Sequence, residues 1–342
     1  MKAMLLGRVS DMRSTVAPLD YVDTPPPPVK PGEILLRVST CGVCHTELDE
    51  IEGRTLPPRY PVIPGHQVVG RVEETASDVS GIAPGQRFGV AWIFSACGNC
   101  EYCLGGNENL CPQFRATGRD VHGGYAEYIT VPAAFAHRIP DCFTDAEAAP
   151  LLCAGAIGYR SIRLANFRDG QTLGLTGFGA SAHLVLKMVK YKYPNSPIFV
   201  FARSSSERAF AQELGAAWTG DIGESPPHLP TAIIDTTPAW EPILAALTVL
   251  APGGRLVINA IRKESADRAL LTTLDYPSQL WMEKEVKSVA NVTRADVREF
   301  LDVASEIPLI PEFQEFPLAD ANAALRELKA RSVRGAKVLR IS

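Results

Sequence analysis

The chain has 342 residues, 46% hydrophobic and 21% charged, with 34 Lys and Arg against 38 Asp and Glu for a formal net charge of −4. That length exceeds what one core usually organises and implies two domains. The lack of a long basic run argues against a nucleic-acid partner, and no apolar run approaches the roughly 20 residues that span a bilayer. The first nine residues are too short and too interrupted for a secretory leader. A cytoplasmic protein with no membrane partner is expected. In a reducing compartment its 8 cysteines read as metal ligands or buried thiols before disulfides.

Residues 25–28 (PPPP) read as an extended connector. Residues 32–39 (GEILLRVS) then read as a strand, 61–72 as a loop followed by a strand, and 123–131 (GGYAEYITV) as a strand with aromatic alternation. After about residue 154 the pattern changes. Strands at 171–176, 198–202, 232–235 and 255–260 alternate with helices at 180–191, 207–214 and 242–250, and Ser204 and Glu207 stand in capping-box spacing. Such alternation marks βαβ units and a doubly wound parallel sheet, hence an α/β fold. The tail reads as helices at 295–305 and 318–330 and a strand at 336–341, expected to pack back on the first domain.

Cys97, Cys100, Cys103 and Cys111 form C-x2-C-x2-C-x7-C. Four thiolates in one short loop match a tetrahedral zinc closed to water and substrate, and Gly98, Gly105 and Gly106 let the backbone wrap an ion. Buried or paired cysteines and an iron–sulfur cluster are the alternatives. A closed site is structural and names no activity. Three more donors lie far apart: Cys44 in CGVCHTE, His66 in PGHQ and Cys153 in LLCAG. Two thiolates and an imidazole suit a zinc with its fourth position open. Taken singly, a His after Pro-Gly reads as structural and a Cys in an apolar run reads as core.

Gly177-Phe178-Gly179-Ala180-Ser181-Ala182 is G-x-G-x-x-A after a predicted strand and before a predicted helix. In that setting the first glycine permits the tight turn and the second lets a pyrophosphate approach the helix N-terminus. The second strand of the unit runs into Ala202-Arg203-Ser204-Ser205, with no carboxylate to repel a ribose 2′-phosphate. Arg203 offers a bidentate fork with the two serine hydroxyls assisting, which favours NADP over NAD.

The ordered series CGVCHTE, PGHQ, ACGNCEYCLGGNENLC, GGYAEY, LCAG and GFGASAH closely resembles the zinc-containing alcohol dehydrogenases of the medium-chain dehydrogenase/reductase superfamily, over essentially the whole chain. The resemblance implies a GroES-like β-rich catalytic domain (1–153 and 291–342, with a structural zinc lobe at about 95–113) and a Rossmann cofactor domain (154–290), with two zincs per chain. It implies that Cys44, His66 and Cys153 hold the catalytic zinc, with Cys41 a buried bystander, and that the four-cysteine loop holds the structural one. Thr46 matches the hydroxyl that takes the alcohol proton, His45 a contact to the cofactor pyrophosphate, and Trp92 a substrate-pocket wall. Lys337 matches a basic residue near the pyrophosphate, and Arg294 lies in a similarly basic segment. The implied reaction moves a hydride between a primary or secondary alcohol, aliphatic or aromatic, and a nicotinamide dinucleotide, in a homo-oligomer with a tetramer favoured over a dimer.

Departures from the family pattern are Gln67 where Glu is usual, Glu47 where Asp orients the zinc histidine, Asp49 where many relatives carry His at the outer end of a proton relay, and Ile157 and Ser181 near the nicotinamide. Rival readings are a polyol dehydrogenase, which usually uses Glu near the position of Cys153, a zinc-free reductase of quinones or enones, and a zinc-stabilised protein that only senses cofactor.

Overall fold

The β-branched and aliphatic residues of EILLRVSTCGV make Glu33–Val43 an 11-residue strand that is buried at nearly every position. It is the spine of a sheet in which Val68–Thr75, Tyr128–Pro132 and Ala336–Arg340 all pair with it antiparallel. Irregularities at Leu35/Leu36 and Val38/Thr40 twist the strand before it delivers Cys44. Arg87–Val90 and Ala136–Arg138 extend the sheet on one side, and Phe313–Pro317 on the other. Ile34, Leu36, Val38, Val68, Val72, Ile129 and Leu339 form its core with Ala321, Leu325 and Leu328 of the Ala321–Lys329 helix. Each buried aliphatic side chain contributes about 1.5–3 kcal/mol.

In the computed structural model residues 1–307, 309–330 and 335–342 are described. The chain divides into two units, Met1–Ala156 with Val292–Ser342, and Ile157–Asn291. The second holds a six-stranded parallel sheet in the order Trp218–Gly220, Ile198–Phe201, Leu173–Thr176, Ala232–Asp235, Arg255–Ile258, Glu285–Ser288. Leu173–Thr176, Ile198–Phe201 and Ala232–Asp235 are buried at all four positions, the continuous apolar run that a parallel strand covered on both faces requires. Connections leave the neighbours Leu173–Thr176 and Ala232–Asp235 in opposite directions, which places a binding crevice at their carboxyl ends.

The helices Ala180–Lys192, Ser205–Glu213 and Glu241–Val249 fall within a residue or two of expectation. Two expected elements differ. The strand expected at 123–131 begins only at Tyr128. Gly123 and Gly124 are committed instead to the loop carrying His66, donating to the carbonyls of Ile63 at 2.6 Å and Gly65 at 2.9 Å. The helix expected at 318–330 opens as a 3-10 turn, Leu318–Asp320, before Ala321–Lys329. The edge strands Trp218–Gly220 and Glu285–Ser288, of 3 and 4 residues, are too short to show an apolar period.

Candidate active site and cofactor crevice

Three segments of the first unit bring three donors together. Cys44 is the N-cap of the His45–Ile51 helix. His66 follows Gly65, whose φ of +97° and whose packing on Tyr125 and the Cys41 sulfur leave no room for a side chain. Cys153 lies in Leu151–Gly155, a π-helical turn continuing Asp145–Pro150. Such wide turns redirect a side chain and are common at functional sites. Gly155 is required there because Phe300 packs where its Cβ would be, at 2.3 Å.

The donor atoms of Cys44, His66 and Cys153 all lie within 4.8 Å of one another. His66 is 1% exposed, and its Nε2 is 3.3 Å from Cys153 Sγ. Its Nδ1 is 2.6 Å from Glu47 Oε1, while Glu47 Oε2 accepts from the Cys44 backbone N–H at 2.8 Å. The extra methylene of Glu47 is therefore used: one carboxylate ties down both the helix start and the far nitrogen of the imidazole. A hydrogen bond from the Cys153 thiol holds the Cys44 sulfur well below the usual thiol range against the cost of burial, and the same contact, with burial, lifts Cys153 well above it. Burial works against a charged His66, yet the Glu47 carboxylate and the Cys44 sulfur raise it well above the ordinary histidine value. Two sulfurs sharing a proton, and an imidazole oriented by a carboxylate, suit a tetrahedral zinc with one position open.

Around this cluster Thr46 is 7% exposed, with Oγ1 3.7 Å from Cys44 Sγ, and His45 is exposed at the helix start. Gln67 is buried, its side chain filling the space above Gly42, where a Cβ would come within 2.5 Å of Oε1. Asp49 is buried in an ion pair with Arg54, whose Nε and Nη2 approach Oδ1 at 2.6 Å. No feature of the sequence singled out Arg54. Trp92 is 8% exposed and packed on Phe114 and Arg119. Lys337 is buried in the first unit, donating to Glu327 at 2.6 Å and Gln314 at 3.0 Å. Arg294 forks onto Glu108 at 2.7 and 2.9 Å, tying the four-cysteine lobe to the Arg294–Glu306 helix.

In that lobe Cys97, Cys100, Cys103 and Cys111 also bring their sulfurs within 4.8 Å of one another, and all eight cysteines are free thiols. Backbone N–H groups of Asn99 and Cys100 push Cys97 down to about 6. Gly98 and Gly106 adopt φ of +78° and +71°, the turns a side chain would resist. Gly105 stays at −83° and needs no such freedom.

In the second unit Gly177 takes φ +76° at the end of Leu173–Thr176, with Thr237 and Thr236 packed where its Cβ would lie. Gly179 caps the Ala180–Lys192 helix with open space above it, the cradle a pyrophosphate needs. Phe178 and Ala182 are buried beneath, and Ser181 lies beside Gly158. Asp235 stiffens the floor: it accepts from Thr176 Oγ1 at 2.5 Å and Thr237 Oγ1 at 2.7 Å and is paired with Lys263. Arg203 is exposed, and its side chain makes no hydrogen bond or ion pair among the described residues. Ser204 caps the helix that Ser205 begins, accepting from Glu207 N. Arg208, passed over in the sequence, donates to the carbonyls of Ala202 at 2.6 Å and Arg203 at 3.0 Å and fixes the turn.

Residues 30–141 match the model of the alcohol dehydrogenase GroES-like domain. The chain is 43% identical to a probable alcohol dehydrogenase of Mycobacterium tuberculosis, over 95% of this chain and 93% of that protein. It is 32% identical to an alcohol dehydrogenase of Geobacillus stearothermophilus, over 94% of this chain and 96% of that protein. Among solved structures it superposes on a cinnamyl alcohol dehydrogenase of Sorghum bicolor with a TM-score of 0.81, at 26% identity and covering 98% and 97% of the two chains. The chain belongs to the zinc-containing alcohol dehydrogenases of the medium-chain dehydrogenase/reductase superfamily. It is an oxidoreductase acting on alcohols, and the family together with its cysteine cluster supports zinc and a nicotinamide dinucleotide as cofactors.

Proposed function

We propose that this enzyme carries two zincs per chain, one held by Cys44, His66 and Cys153 and one by Cys97, Cys100, Cys103 and Cys111, and interconverts small alcohols and aldehydes with NADP in preference to NAD. The observation that carries the reading is the three-donor cluster with Glu47 bridging Cys44 N and His66 Nδ1. When bound, zinc supplies Lewis-acid polarisation of the substrate oxygen, and the nicotinamide accepts or returns the hydride.

The chain's own residues do the rest. Thr46 Oγ1, 3.7 Å from Cys44 Sγ, accepts the alcohol proton in oxidation and returns it in reduction. Asp49 has its carboxylate locked to Arg54, so release of that proton directly to solvent is the favoured route. Gln67 keeps the floor beside His66 neutral, where a carboxylate would add a charge. His45 and Lys337 are proposed pyrophosphate contacts. For Lys337 this requires leaving Glu327 and Gln314, so it is the weaker of the two. Gly177 to Ala182 cradle the pyrophosphate. Arg203, unpaired and followed by the Ser204 and Ser205 hydroxyls, takes the 2′-phosphate.

Among the described residues no helix is long and apolar enough to cross a membrane. We place the enzyme in the cytoplasm, where eight free thiols persist. The exposed edge strand Glu285–Ser288, with Trp281 and Met282 more than half exposed beside it, supports a homo-oligomer, tetramer before dimer.

The test is reduction of a panel of aliphatic and aromatic aldehydes with NADPH and with NADH, followed by nicotinamide absorbance, before and after zinc chelation. Chelator-sensitive turnover favouring NADPH is expected. A preference for NADH would discard the Arg203 assignment and keep the reaction. Turnover indifferent to chelation would remove the role of Cys44, His66 and Cys153.

A further inference from the structure

Trp92 is a pocket wall in the reading above, yet only 8% of it is exposed. Phe114 packs on its ring with centroids 5.1 Å apart. Arg119 lays its guanidinium over the indole, Cζ 5.2 Å from the ring centroid. The position of Arg119 is over-determined. Its Nε and Nη2 fork onto Asp120 at 3.0 and 2.8 Å, and Asp120 Oδ2 also accepts from Ala116 N at 2.7 Å. Thr117 donates from N to the Trp92 carbonyl and from Oγ1 to the Ala91 carbonyl, both at 2.8 Å. The loop is thus stitched to the segment that carries the tryptophan.

We infer that Arg119 is a specificity-determining residue, a guanidinium clamp that fixes the Trp92 ring and restricts the enzyme to compact alcohols and aldehydes. The inference rests on the reading that Trp92 lines the substrate pocket. A planar guanidinium stacks on an indole face while its edge forks onto a carboxylate, and a lysine cannot do both. A compact aldehyde leaves the stack in place. A bulky aryl aldehyde needs the ring to turn, which breaks the stack and strains the fork together.

The experiment compares Arg119→Met, which keeps the stem but loses the planar cation, with Arg119→Lys and Trp92→Ala in the zinc-loaded full-length enzyme. KM and kcat are measured for propanal and cinnamaldehyde, and acrylamide quenching of tryptophan fluorescence is read against Trp92→Phe. In Arg119→Met, KM for cinnamaldehyde should fall about threefold or more while KM for propanal and both kcat values hold, and Trp92 should become more open to quencher. Arg119→Lys should follow Arg119→Met, and it serves in its place if the methionine variant fails to fold. If Trp92→Ala alters KM for cinnamaldehyde and neither Arg119 variant does, the clamp is wrong and the pocket wall stands. If Trp92→Ala alters KM for neither aldehyde, Trp92 is no pocket wall and the clamp falls with it.

Discussion

The two donor clusters of the first unit are built in opposite ways. The cysteine lobe takes all four of its sulfurs from residues 97–111, and left-handed turns at Gly98 and Gly106 fold the loop on itself. The cluster at Cys44, His66 and Cys153 is assembled from a helix cap, a glycine loop and a π-helical turn. A local cluster needs only its own loop, whereas a distributed one needs the whole sheet in register. The first is therefore suited to stabilise, and the second to be tuned by its surroundings, as Glu47 tunes His66.

Removing one donor from each cluster should separate the two roles. His66→Ala is expected to lower kcat/KM about a thousandfold or more, because several kcal/mol of Lewis-acid stabilisation are lost, while the cysteine lobe keeps its zinc. Retention of more than a tenth of the activity would contradict the assignment. Cys103→Ser should do the reverse, lowering the thermal midpoint by about 10 °C through the lost metal–folding coupling. Surviving enzyme should retain turnover, and an unchanged melting curve would show that the lobe stabilises nothing.

Glu47→Gln sharpens the contrast. It keeps the acceptor for Cys44 N but removes the charge facing His66 Nδ1. Zinc affinity at the distributed cluster should fall about 10–100-fold in chelator competition, with the lobe unmoved; equal loss at both would point to general unfolding. A smaller effect is expected in the second unit. Arg203→Ala should raise KM for NADPH about tenfold, the scale of a lost charge-assisted pair, and leave NADH nearly unchanged. Equal losses, or none, would remove the 2′-phosphate role.

Legibility in the sequence follows the same division. The spacing of the four cysteines alone pointed to a metal, because sequence distance and spatial distance coincide there. Cys44, His66 and Cys153 became a set only through resemblance, since nothing local in PGHQ or LLCAG distinguishes a ligand from a core residue. The βαβ alternation and the glycine turn at Gly177 were readable because buried parallel strands are uniformly apolar. Pairings decided by tertiary packing were not. Asp49 with Arg54, Lys337 with Glu327, and Arg294 with Glu108 each join residues whose charges look solvent-facing in the sequence. Arg119 carried no signal, since its meaning lies in the ring beneath it.

The most direct measurement is zinc content per chain followed during timed chelation, with activity assayed at each point. The expected course starts at two zincs, and activity disappears in step with the first to leave while the second remains with the folded protein. Full activity in protein that has lost one zinc and kept the other, or a starting content of one, would contradict the division between an open catalytic cluster and a closed structural lobe.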